Sequence, residues 1–151
     1  MHEYKAIVRW IRDGAKFTDN RYSRGHEWVF DGGVTVPASS SPQVVPAPLS
    51  RPEAVDPEEA LVASAASCHM LFFLSLAARR GFVVERYVDE PTGVMAENPV
   101  GRLAFRQIVL RPQIEFSHET APTAEQLKAL HRDAHDQCYI ANSLRCEVVV
   151  E

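Results

Sequence analysis

Between Ala60 and Ala78 only Ser64, Ser67, Cys68, His69 and Ser75 interrupt an otherwise apolar run. The ends of this run carry helix signals. Asp56 can cap, Pro57 suits the first helical position, and Glu58 and Glu59 complement the positive end of a helix dipole. Asp56 and Glu59 also have the spacing of a reciprocal capping box. At the far end Arg79 and Arg80 suit the negative pole, and Gly81 can close the helix. The pattern predicts a helix over 57–80, about 36 Å long. Leu61 to Ala78 is apolar nearly all round, so this helix is expected to be buried on most sides. Its small residues, Ala63 to Ser67, leave room for close neighbours. A helix this apolar does not suit a monomer surface and points to an obligate homodimer.

A second helix is predicted over Thr123–Gln137. Thr123 and Gln126 form a capping box, and Leu127, Leu130, Ala134 and Cys138 share one face. The remaining signals are strands. Tyr4 to Ile11 alternates, and Glu27 to Val36 reads as a hairpin around Asp31-Gly32-Gly33. Val83 to Met95 and Leu103 to Phe116 are two long β-rich runs, and Arg145 to Val150 is a short terminal strand. The order β-β-α-β-β-α-β defines an α+β class. Val36 to Asp56 holds Pro37, Pro42, Pro46, Pro48 and Pro52, which excludes a helix or central strand there. An irregular segment of this length inside a domain is usually functional or disordered.

Length is compatible with a single domain over 1–151. The net charge of −4 disfavours nucleic acid or an anionic membrane as the main partner. The serines and the Cys-His pair within the long apolar run favour a buried helix over a membrane span. The first ten residues lack the basic and apolar regions of a secretory signal. Three cysteines do not make a disulfide scaffold. These features together read as a cytosolic protein with reduced thiols.

Each cysteine has a bland and a chemical reading. Cys68, mid-helix, can be a small buried hydrophobe or a reactive thiol. Cys138 lies where the second helix ends, which offers partial access. Cys146 alternates with Arg145 and Glu147 and is expected to face inward. His131, His135 and Cys138 fall at i, i+4 and i+7, the spacing for a metal- or small-ligand-binding face. His69 adjoins Cys68, but neighbours on a helix diverge, so the two do not form a pair within one chain.

Several of these residues form a larger pattern. Asp56-Pro57-Glu58-Glu59-Ala60-Leu61 is followed by Cys68 ten residues after Glu58. A long apolar helix contains that cysteine, and a second one, Cys138, precedes x-x-x-Asn142-Ser143. The pattern spans essentially the whole chain and resembles the OsmC/Ohr family (osmotically inducible protein C and organic hydroperoxide resistance protein). The resemblance implies antiparallel sheets around a long buried central helix, in an intertwined homodimer with active sites at the subunit interface. It implies a thiol peroxidase that needs no cofactor. Cys68 would be peroxidatic and Cys138 resolving, through a Cys68–Cys138 disulfide reduced by a dithiol such as a lipoyl group. Glu58 matches the family's active-site glutamate. The activating arginine matches Arg51 in the proline-rich loop, with Arg21 and Arg24 as N-terminal alternatives. His69 stands where an aromatic residue is more typical, and Cys146 matches no functional position.

The chemistry sets its own demands. A thiolate attacks a peroxide, whereas an apolar setting raises a thiol's pKa. Cys68 lies roughly 16 Å from the helix start, beyond useful reach of the dipole. A cation is therefore required, and arginine keeps its charge when partly buried. Glu58 is ten helical residues, or about 15 Å, from Cys68 of its own chain. If it serves that thiol, it comes from the second subunit. Leu71, Phe72, Phe73, Val44, Val45 and Leu49 are candidates for an oily pocket favouring alkyl hydroperoxides.

Overall fold

A computed structural model describes all 151 residues. The chain forms two compact units, residues 1–60 and 61–151. In the first, β1 (Ala6–Arg9), β2 (His26–Phe30) and β3 (Thr35–Ala38) form an antiparallel sheet in the order β1-β2-β3. The predicted hairpin turns at Asp31 to Val34, where the Gly33 N–H donates to the Phe30 carbonyl. The proline-rich segment that follows is irregular but tied down. Ser39 N–H donates to the Val55 carbonyl, Val55 N–H to Pro37, and Arg51 N–H to Ser39 Oγ. These bonds answer the question of where a buried loop satisfies its backbone.

Helix α1 (Pro57–Arg79) starts as predicted. The Asp56 N–H donates to Glu59 Oε1 at 2.9 Å, and the Glu59 N–H to Asp56 Oδ1 at 2.8 Å. At its end Gly81 has φ of +80°, and Phe82 N–H reaches back to Ala77 O while Gly81 N–H reaches Ala78 O. This is a Schellman closure, which needs a residue at ease in the left-handed region.

In the second unit the two long β-rich runs each divide. The first becomes β4 (Val84–Asp89) and β5 (Thr92–Glu97), split at Glu90-Pro91, and the second becomes β6 (Leu103–Leu110) and β7 (Pro112–Phe116), split at Arg111. β4 pairs with β7 in one antiparallel ribbon. β5 pairs with β6 antiparallel, and the terminal strand β8 (Glu147–Val150) joins β6 in parallel, a departure from an all-antiparallel expectation. Asp89 Oδ1 accepts the Arg111 N–H, linking the two break points. α2 (Ala124–Gln137) carries the expected capping box, with both Thr123–Gln126 bonds made. A short helix α3 (Tyr139–Ser143) follows, which periodicity did not predict.

Two apolar clusters hold this unit. Ala65, Ala66, Ile108, Leu110 and Val148 form one, with Cys146 packed against it. Phe73, Leu76, Ala77, Leu130 and Ala134 form the other. The buried positions of α1 are only Ala65, Ala66, His69, Phe73, Leu76 and Ala77. The expectation of burial on most sides therefore fails within one chain. Ala63, Ser64, Ser67, Leu71, Ser75 and Ala78 make an exposed stripe down the opposite side.

Candidate active site

The two cysteines meet in the second unit. Cys68 projects from mid-α1, half-buried, into a cavity of about 480 Å³ whose walls include Leu71, Phe72, Ser75, Tyr139 and Ile140. Phe72 and Tyr139 meet edge to face at 5.0 Å. Phe73, also proposed for this pocket, is instead fully buried core.

Cys138 sits where α2 ends and α3 begins, capping both. Its sulfur accepts the Ala141 N–H at 3.4 Å. Contrary to the expectation of partial access, it is only 1% exposed. The reason is the turn itself. Asn142 Nδ2 donates to the carbonyls of Asp136 and Cys138, each at 3.0 Å, folding α3 back over the end of α2. Asn142 thus ties the turn that carries Cys138, and is visible in the sequence only as part of a family pattern. Burial, helped by the neighbouring Cys68 sulfur, pushes the Cys138 thiol up to about 11 against the lowering effect of the Ala141 N–H. No disulfide links any of the three cysteines in this structure.

The metal-binding face does not assemble. No group of three or more histidine, cysteine or carboxylate side chains converges on one point. His131 Nδ1 instead lies 3.0 Å from His69 Nε2 across the α1–α2 contact.

The remaining candidates belong to the first unit. Glu58 is half-buried, and its Oε2 is enclosed without a hydrogen-bond partner. Arg24 is bound by its own loop. Its guanidinium donates to Tyr22 O, Asn20 O and Asn20 Oδ1, and lies 3.9 Å above the Tyr22 ring. Arg51 is exposed and packs over Gly25, where an added Cβ would come within 2.8 Å of its Nε. Arg21 is exposed, with its backbone N–H held by Asp19. No ion pair involves Glu58, Arg21, Arg24 or Arg51. A cavity of about 500 Å³ lies among Trp10, Phe17, Tyr22, Arg24, Ser40 and Pro57. Val44, Val45 and Leu49 belong to the loop of this unit; Val44 is exposed.

A thiol facing an apolar cavity thus lies beside a second thiol sealed on a helix junction. The model of the OsmC-like protein family matches residues 50–151, and the chain belongs to that family. It is 52% identical to a solved OsmC-like protein of unknown function from Vibrio cholerae, with a TM-score of 0.97 over 100% of this chain and 99% of that one. An organic hydroperoxide resistance protein from Elizabethkingia anophelis shares the fold at 15% identity, with a TM-score of 0.73 over 100% of this chain and 96% of that one. An organic hydroperoxide resistance protein OsmC from Legionella pneumophila gives a TM-score of 0.71 at 15% identity, over 100% and 98% of the two chains. No curated protein matches the sequence significantly.

Proposed function

We propose that the protein is a thiol-dependent peroxidase that reduces organic hydroperoxides to alcohols. The observation that carries this reading is the unequal pair. Cys68 opens onto an apolar cavity, and Cys138 is buried next to it with its thiol held protonated. Only a thiolate attacks peroxide efficiently, so Cys138 is unsuited to the first step. The Cys68 thiolate attacks the outer oxygen of ROOH. An S–O bond forms, the O–O bond breaks, and the alkoxide leaves as ROH after taking a proton. Cys138 then attacks the sulfenic sulfur, forming the disulfide and expelling water. Neutral sulfenic acid no longer opposes ionisation of its neighbour, which assists this second step. A dithiol supplies the two electrons and two protons that restore both thiols. The structural relatives named for hydroperoxide resistance support the same reading.

The cationic partner that the first step requires comes from the first unit. Glu58, with its enclosed and unpartnered carboxylate oxygen, is suited to orient a guanidinium. Arg51 is the candidate, because Arg24 is already committed to loop acceptors. Since Glu58 lies about 15 Å along α1 from the Cys68 of its own chain, these groups serve the thiol of a second copy. The exposed small-residue stripe of α1 suits helix-to-helix contact in that homodimer. The working compartment is the reducing cytosol.

The test is mass spectrometry after one equivalent of an alkyl hydroperoxide. The expected product is a single Cys68–Cys138 disulfide, absent in Cys68→Ser. Full peroxide turnover by Cys68→Ser overturns the reading.

A further inference from the structure

The catalytic reading leaves a buried imidazole pair unused. His69 follows Cys68 on α1 and is 1% exposed. His131 lies on α2, two helical turns before Cys138 and on the same face. Their rings are nearly coplanar in orientation, 6° apart with centroids separated by 5.4 Å, and Nε2 of His69 stands 3.0 Å from Nδ1 of His131. Phe73 covers His131 at 4.6 Å. This is a buried polar contact between the helix that carries Cys68 and the helix that Cys138 caps, set against an apolar cluster; the Arg80–Asp133 ion pair, just past the end of α1, is exposed by comparison.

The geometry also determines where the protons sit. His69 Nδ1 is buried and has no partner. A buried N–H without an acceptor costs more than a buried lone pair without a donor, because under-satisfied acceptors are better tolerated than orphaned donors. His69 therefore carries its single proton on Nε2 and donates it to His131 Nδ1. His131 in turn carries its own proton on Nε2. Both rings are neutral in this arrangement, and a second proton on His69 would have no acceptor.

We infer that the His69–His131 hydrogen bond is a latch that fixes α1 against α2 and so sets the approach of Cys138 to Cys68 for disulfide closure. His69 and His131 are positioning residues here; neither touches the peroxide. The inference builds on the proposed thiol chemistry, but it concerns only the step between the two sulfurs. Each step of a disulfide bond's formation is steeply geometric, because the Cβ–Cβ separation is confined to about 3.5–4.5 Å. A small relaxation of one helix against the other is then read directly in the closure rate.

The test uses the full reduced chain and diamide, which accepts the two electrons and two protons released when Cys68 and Cys138 join. His69→Phe keeps a planar ring and removes the hydrogen bond. His69→Gln places an amide Nε2 donor near the same point. At pH 7, His69→Phe is expected to close the disulfide at least tenfold more slowly than the native chain, and His69→Gln to recover most of the rate. Equal rates for the native chain and His69→Phe overturn the latch, as does a His69→Gln no faster than His69→Phe. Nitrogen-15 NMR of the native histidines provides a second measurement that needs no variant to fold. The expected signature is a proton on His69 Nε2 and an unprotonated His131 Nδ1, and a proton on His69 Nδ1 overturns the assignment. Closure with diamide but not with an alkyl hydroperoxide defeats the peroxidase reading and leaves the latch standing. A native chain that closes with neither defeats the latch.

Discussion

Cys68 and Cys138 are chemically identical side chains in opposite settings. Cys68 stands mid-helix at the wall of an open apolar cavity. Cys138 sits on a helix junction, folded under α3 by the two hydrogen bonds of Asn142, with its thiol pushed up to about 11. The contrast teaches that division of labour between two thiols is set by access and desolvation. Neither is a property of cysteine itself. In the proposed reaction the accessible sulfur meets the oxidant, and the sealed one waits as a neutral thiol until its neighbour has reacted.

The largest test of that contrast exchanges the two roles' owners for serine in turn. Cys68→Ser is expected to lower hydroperoxide consumption by at least about 10³-fold, since the hydroxyl that replaces the thiol is not ionised at neutral pH. Cys138→Ser is expected to consume one equivalent and stop, leaving a Cys68 sulfenic acid that dimedone labels. Multiple turnovers by Cys138→Ser with a dithiol would show that the buried thiol is dispensable. Next in size is the cation. Glu58→Gln keeps the shape of the side chain but removes its charge, and a loss of about 10- to 100-fold in the first step is expected, smaller than deletion of a direct charge-stabilising donor. Stopped-flow loss of the Cys68 thiol measures it, and an unchanged rate removes Glu58 from the site.

A smaller effect concerns stability and the pair behind the thiols. Burial, with the neighbouring His131 and His135, lowers His69 from its ordinary 6.5 to about 4. The unfolded chain therefore takes a proton on this residue between pH 6.5 and about 4 that the folded chain refuses. The associated stability is fully present above pH 6.5 and is lost as pH falls through about 4, with a ceiling of about 3 kcal/mol. Urea unfolding of native protein and His69→Gln across pH 4–7 checks it; the variant should show a shallower fall. The smallest effect is expected at Cys146, half-buried against the Ile108 and Leu110 cluster. Cys146→Ala should cost about 1 kcal/mol or less and leave the chemistry intact, as read from unfolding midpoints and peroxide consumption.

Much of this architecture is legible locally. The Asp56–Glu59 box, the Gly81 closure and the Thr123–Gln126 box depend on bonds between residues three to five apart, and all formed as the sequence predicts. The breaks at Glu90-Pro91 and Arg111 carry local signals in Pro91, Gly93 and Pro112, but their joining through Asp89 exists only in three dimensions. Which positions of α1 are covered within their own chain was not legible either. Hydrophobicity records a preference for leaving water, and does not say whether the neighbours come from the same chain.

The sequence by itself determined the ends of the two long helices, the α+β class and the cysteine positions, since these follow from short-range hydrogen bonding, periodicity and the family pattern. Tertiary structure decided which cysteine is sealed, that the His131 ring turns to His69 and not to a metal, and that Arg24 is already occupied by its loop. The histidine contact joins residues 62 positions apart, which no local window of the sequence contains together. The partners of Arg24 and Cys138 lie only two to four residues away, but the turns that aim them are selected jointly by packing.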